Sequence, residues 1–156
     1  MSCFFEKNVY YPHEVARASA VFDNTKCQLD IDQTTLTLVR EVSIRADHHR
    51  SHITTNVAGV QQDGVRAGET GERQMELELH KIQQENKFEV NRQRKKGKMY
   101  TNEEMELASM MLPCVKGKLI QCEYFLQVKP SFGGCDCCNN SPTIRLPLTL
   151  CHPEVR

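Results

Sequence analysis

Leu119-Ile120-Gln121-Cys122-Glu123-Tyr124-Phe125-Leu126-Gln127-Val128 is the segment that decides the fold. Ile120, Cys122, Tyr124, Leu126 and Val128 share one side of a period-two repeat, while Gln121, Glu123 and Gln127 share the other. Successive side chains of a β-strand point to opposite faces, so the alternation predicts a strand with one dry and one wet face. Downstream of a connection from Pro130 to Pro142, Ile144, Leu146, Leu148 and Leu150 repeat the pattern, with Pro147 on the opposite face. Proline has no amide proton for a sheet ladder, so this second strand is expected at an edge or with a free side there. The two apolar sets are expected to face one core.

Upstream, Tyr10-Tyr11-Pro12-His13-Glu14 reads as a turn into a strand over Val15 to Phe22, which Asp23-Asn24-Thr25 ends with side chains that bond their own backbone. Alanines on one side of that strand predict close packing against another layer. Cys27, Leu29 and Ile31 are apolar on odd positions, but Leu36, Leu38, Val42 and Ile44 are apolar on even ones. That change of phase requires a bulge or bend near Gln33 to Thr35. Residues 47–71, rich in His, Thr, Gly and charge, read as long loops around a weak strand. Met75, Leu77 and Leu79 alternate with Glu76, Glu78 and His80, favouring a strand, although Met75, Leu79 and Ile82 also fit helical spacing. Apolar content collapses over residues 83–109, which are expected to form a charged, mobile insertion. A capping box at Thr101 and Glu104 there predicts one short helix over Met105 to Met111. Five or six alternating strands joined by turns point to an all-β, antiparallel sandwich.

At 156 residues the chain is expected to form a single domain over 1–156. Its 20 Lys+Arg balance 20 Asp+Glu, so no whole-molecule field draws it to nucleic acid or an anionic membrane. Met1-Ser2-Cys3-Phe4-Phe5-Glu6-Lys7 has neither a charged start nor a continuous apolar run, so no signal peptide is read and a cytoplasmic location is expected. The eight cysteines are expected to be reduced in that compartment.

Several short signatures occur in the order found in one family. Val9-Tyr10-Tyr11-Pro12-His13-Glu14-Val15 resembles the entry turn of the arrestin C-terminal domain, with His13 where glycine is usual. Val21-Phe22-Asp23-Asn24-Thr25 is similar to that domain's strand ending, and Leu36-Thr37-Leu38-Val39-Arg40-Glu41-Val42 to its long central strand. Leu112-Pro113, then Gly117 through Val128, then Ile144-Arg145-Leu146-Pro147-Leu148-Thr149-Leu150 resembles its pairing of a tyrosine strand with an Ile-x-Leu-Pro strand. The resemblance implies an immunoglobulin-like β-sandwich and a non-enzymatic adaptor or scaffold of trafficking or signalling, located in the cytoplasm or peripherally on endosomal or plasma membranes. It implies protein partners such as receptor or cargo tails, and an N-terminal arrestin domain in a longer natural protein. The N-domain and its phosphate-sensing elements have no counterpart in the chain.

Two clusters carry other chemistry. Arg92, Arg94, Lys95, Lys96 and Lys98 are the densest single-sign group and are suited to phosphoinositide headgroups or a membrane surface, against the plainer reading of a solvated loop. With no interleaved aromatic side chains, they do not indicate specific nucleic-acid binding. Cys135, Cys137 and Cys138 offer thiolates for zinc, with Cys151 or His152 to complete a tetrahedron, but a second properly spaced pair is missing. A reduced, exposed hairpin loop is the expectation, with no cofactor. His48, His49 and His52 read as an exposed polar loop. No acid, base and nucleophile set stands at meaningful spacing.

Overall fold

In a computed structural model, which describes residues 1–46, 48–82, 112–133 and 141–151, the predicted alternation becomes two facing antiparallel sheets. The strands are β1 (Ser2–Phe5), β2 (Val9–Tyr10), β3 (Val15–Asp23), β4 (Ile31–Ala46), β5 (His49–Val65), β6 (Thr70–Glu78), β7 (Val115–Lys116), β8 (Ile120–Phe132) and β9 (Ile144–Leu150). One sheet has the order β1-β3-β6. The other runs β2-β9-β8-β4-β5, with β7 paired to β8 and the short β2 joined to β9 in parallel.

On β3 the inward positions are Ala16, Ala18, Ala20 and Phe22, all buried, so the middle strand of the smaller sheet meets the facing layer through methyl groups. Leu36 and Leu38 of β4, Tyr124, Leu126 and Val128 of β8, and Leu148 and Leu150 of β9 supply the other half of the core. The expected core set is corrected at two places. Ile120 is exposed, because it lies beyond the area the three-stranded sheet covers, and Ile144 and Leu146 are only half-buried.

The expected change of phase is present: the β4–β8 register shifts between Ile31 and Gln33, after which Thr34, Leu36 and Leu38 point inward. A second shift, between Leu38 and Val39 against β5, leaves Val57 as an extra residue. Leu29 of the expected odd set lies exposed in the connection before β4. The long loops read over residues 47–71 are corrected to a 17-residue strand, β5, paired with β4 along its length. Its first six residues are all exposed, so its backbone is ordered by the ladder while its side chains show no core periodicity. Both readings of residues 75–82 apply in turn: β6 ends at Glu78, and one helical turn over 79–82 buries Leu79 and Ile82. The insertion at 83–109, including its capping box, lies outside the described residues.

Pro147 sits where its lost donor costs nothing. Thr149 and Cys151 donate their amides to Asn8 and Tyr10 at 2.8 and 2.9 Å, so alternate residues of β9 point toward β2. Two residues earlier, Pro147 faces the same side beyond the end of β2.

The turns explain the polar signatures. In the entry turn, a Glu14 carboxylate oxygen accepts the Tyr11 amide at 2.7 Å and the other meets Lys7 Nζ at 2.5 Å. These bonds, Lys7 first, hold the Glu14 carboxyl below its ordinary range. A depressed carboxylate contributes stability above its unfolded pKa and loses it as pH falls through the folded value. Glu14→Gln is therefore expected to narrow the gap in stability between neutral pH and acid below about pH 4, by about 1 kcal/mol or less for this solvent-screened pair; urea unfolding at both pH values checks it.

Asn24 is buried and pins two connections at once. Its Nδ2 donates to the carbonyls of Leu29, Arg66 and Val65 at 2.9, 3.1 and 3.3 Å, while its own carbonyl accepts the amides of Gly68 and Cys27. Asn24→Ala leaves buried carbonyls without a donor and is expected to cost about 1–3 kcal/mol, read as a lower urea midpoint at constant slope.

Candidate binding surface

Nine-residue strands cannot cover sixteen- and seventeen-residue ones. At about 3.3 Å per residue, β4 and β5 overhang the smaller sheet by roughly 20 Å. Register fixes which side chains line the overhang. Val42 lies between Ile53 and Cys122, Ile44 lies between Ser51 and Ile120, and Val115 stands opposite Cys122. These residues continue the inward face of the large sheet past the point where the core ends. Ile44, Val115, Ile53 and Ile120 are accordingly 39%, 42%, 50% and 50% exposed.

At the junction of core and overhang, Arg40 stands opposite Tyr124 and beside Thr55. Its Nε is buried without a hydrogen-bond partner. Burial pushes the Tyr124 hydroxyl up and keeps it protonated, with Cys122 a lesser cause and Arg40 opposing. Burial likewise raises the Cys122 thiol, and lifts Cys3 to about 11. Thiols raised in this way remain protonated and are not activated nucleophiles. Cys114 helps to anchor a strand end. Its Sγ donates to the Leu148 carbonyl at 3.3 Å and accepts the Leu150 amide at 3.2 Å, near where β9 parts from β8.

The opposite face of the overhang is basic. Arg45 stands directly across from Arg50, and among the described residues no carboxylate pairs with either. His52 lies beside them, bonded to Ser43 Oγ at 3.0 Å. Farther along, Arg145 is neutralised by Glu41 at 2.7 Å and lies over the Phe125 ring, 4.2 Å from its centroid.

β5 is the outermost strand, and its two halves are treated differently. Near its C-terminal end it is tied to the other sheet: Gln62 Nε2 donates to the Gln74 carbonyl at 2.6 Å, and the Arg73 guanidinium donates to the carbonyls of Asp63 and Gly64. Along its N-terminal half, among the described residues, no strand or backbone group pairs with the outer edge.

The basic residues Arg92, Arg94, Lys95, Lys96 and Lys98 lie outside the described residues, as do Cys135, Cys137, Cys138 and His152. Cys151 is half-buried and free. Among the described residues no group of three or more metal-ligating side chains comes together. His48, His49 and His52 are exposed as expected, although His49 and His52 belong to a strand. The overhang itself went unread in the sequence. Its one signal was the pairing of Val42 with Ile53 across a short polar turn.

Two antiparallel layers, with a long central strand and a proline-bearing neighbour, define an immunoglobulin-like β-sandwich. The model of the arrestin (or S-antigen) C-terminal domain matches residues 1–155, and the chain belongs to that family. A comparison with curated protein sequences found no match. Among solved structures, Spo0M, a sporulation control protein from Bacillus subtilis, is similar, with 14% identity and a TM-score of 0.60. The likeness covers 96% of this chain and 47% of that one, so the chain spans about half the length of the structure it matches.

Proposed function

We propose that the chain is a non-enzymatic adaptor or scaffold module that binds receptor or cargo tails at the cytoplasmic face of endosomal or plasma membranes. Arrestin domains bind proteins, and the observation that carries the reading here is an overhanging sheet whose β5 edge, among the described residues, has no strand beside it. Extended peptides join sheets at such edges through main-chain hydrogen bonds. An N-terminal arrestin domain in a longer natural protein belongs to the same proposal.

Arg92, Arg94, Lys95, Lys96 and Lys98 add an electrostatic contact to phosphoinositide-bearing membrane or to an acidic, phosphorylated tail. Exposed cations contribute only up to about 1 kcal/mol each near an anionic surface, so this contact is weak, salt-sensitive and dependent on a second one. Replacing all five with Gln is expected to reduce binding to vesicles containing phosphatidylinositol phosphates by about tenfold or more at physiological salt. The melting curve should hardly change. Retained binding to both vesicles and phosphorylated tail would remove the basic segment from the functional surface.

A further inference from the structure

We propose that the N-terminal half of the β5 edge, from Ser51 to Asn56, takes up an extended acidic peptide as an added strand; the inference deepens the protein-binding reading above and rests on it. Exposed edges are normally blunted by lysine, proline, a bulge or an inward-pointing charge. The far half of β5 has such protection, because Arg73 covers the Asp63 and Gly64 carbonyls and the Val57 bulge distorts the ladder. Between Ser51 and Asn56 there is no proline, no lysine and no bulge, and Ile53 points to the apolar side.

The two faces flanking this edge specify the peptide. A strand laid beside β5 places alternate side chains next to Ile53, on the face where Ile44 and Ile120 are left exposed and Val42 is half-buried at the margin of the core. The side chains between them fall next to Arg50 and His52 on the other face, with Arg45 one strand further in. Like charges directly opposite each other destabilise a sheet, so the Arg45–Arg50 pair leaves a positive site that an added row of carboxylates relieves. The occupant is thus apolar and acidic at alternate positions. A second copy of the chain fits less well, since it would bring another basic edge against this one.

The test uses the full chain and a short labelled peptide alternating valine and glutamate, with a valine and lysine peptide as the control. The glutamate peptide is expected to bind at least about tenfold more tightly than the lysine one, and to slow hydrogen exchange of the amides in 51–56. Ile53→Lys and Arg50→Glu should each weaken it by a similar factor. Both sites are exposed, so neither variant should move the melting temperature appreciably. Equal affinity for the two peptides, or binding untouched by both variants, would overturn the proposal. Sedimentation that showed a dimer abolished by Ile53→Lys would assign the edge to a second copy instead. Binding of vesicles and phosphorylated tails through the five basic residues is measured separately, so failure here leaves that reading standing or falling by its own result.

Discussion

Phe22→Ala is expected to lower the unfolding free energy by about 3–5 kcal/mol, a large share of the roughly 5–15 kcal/mol a domain of this size possesses. The cost follows from the company Phe22 keeps. It is 1% exposed and follows Ala16, Ala18 and Ala20 on the inward side of β3, with Gly71 as its cross-strand partner on β6. The three-stranded sheet therefore presents one large ring among methyl groups and a bare backbone at this end. When that ring is cut back, the residues directly beside it in its own sheet, Ala20 and Gly71, are too small to fill the space. The cavity term then adds in full to the lost transfer free energy. Urea unfolding should show a lower midpoint with an unchanged slope. A loss below about 1 kcal/mol would mean that the ring is not packed between the sheets.

How far sequence reads into such a fold depends on which force orders each strand. Where burial orders it, the alternation is visible: β8 and β9 stood out from their apolar repeats, and the bend in β4 from its change of phase. Where the ladder orders it, the side chains are free to be polar, and β5 disappeared among His, Thr and Gly for that reason. The same blindness hid the overhang. Ile44, Ile53 and Ile120 look like core residues in a period-two pattern, and only the unequal lengths of the facing strands leave them uncovered. The family's polar signatures became intelligible only as geometry, with Asn24 satisfying three carbonyls from two loops and Glu14 closing its own turn. The basic and cysteine clusters, prominent in sequence, lie outside the described residues, and the overhang is a surface that sequence periodicity could not separate from core.

Gly64→Val is expected to destabilise the fold by more than about 3 kcal/mol, beyond the ordinary range for an overpacked side chain. The backbone at Gly64 does not have the left-handed conformation that favours glycine; among the described glycines only Gly68, with φ of 81°, has it. Proximity makes the demand instead. Gly64 stands across from the β4 bulge, where Asp32 is skipped between Ile31 and Gln33, and a Cβ there would overlap the Ile31 carbonyl and lie 2.8 Å from the Asp32 carbonyl carbon. Those are main-chain atoms, which cannot rotate aside as a side chain can. Either the bulge opens, which turns Ile31 or Thr34 out of the core, or β5 parts from β4 and breaks the Arg73 contacts with Asp63 and Gly64. Gly59, on the same strand, provides the control: its added Cβ would meet the nearest atom, Leu36 O, at 3.4 Å. Gly59→Ala should change stability by no more than about 1 kcal/mol, and in the stabilising direction if the unfolded chain loses freedom. Urea midpoints of the two variants separate the explanations. If Gly64→Val and Gly59→Ala unfold together near the parent, β5 does not press against the β4 bulge and the register at this end of the sheet is different.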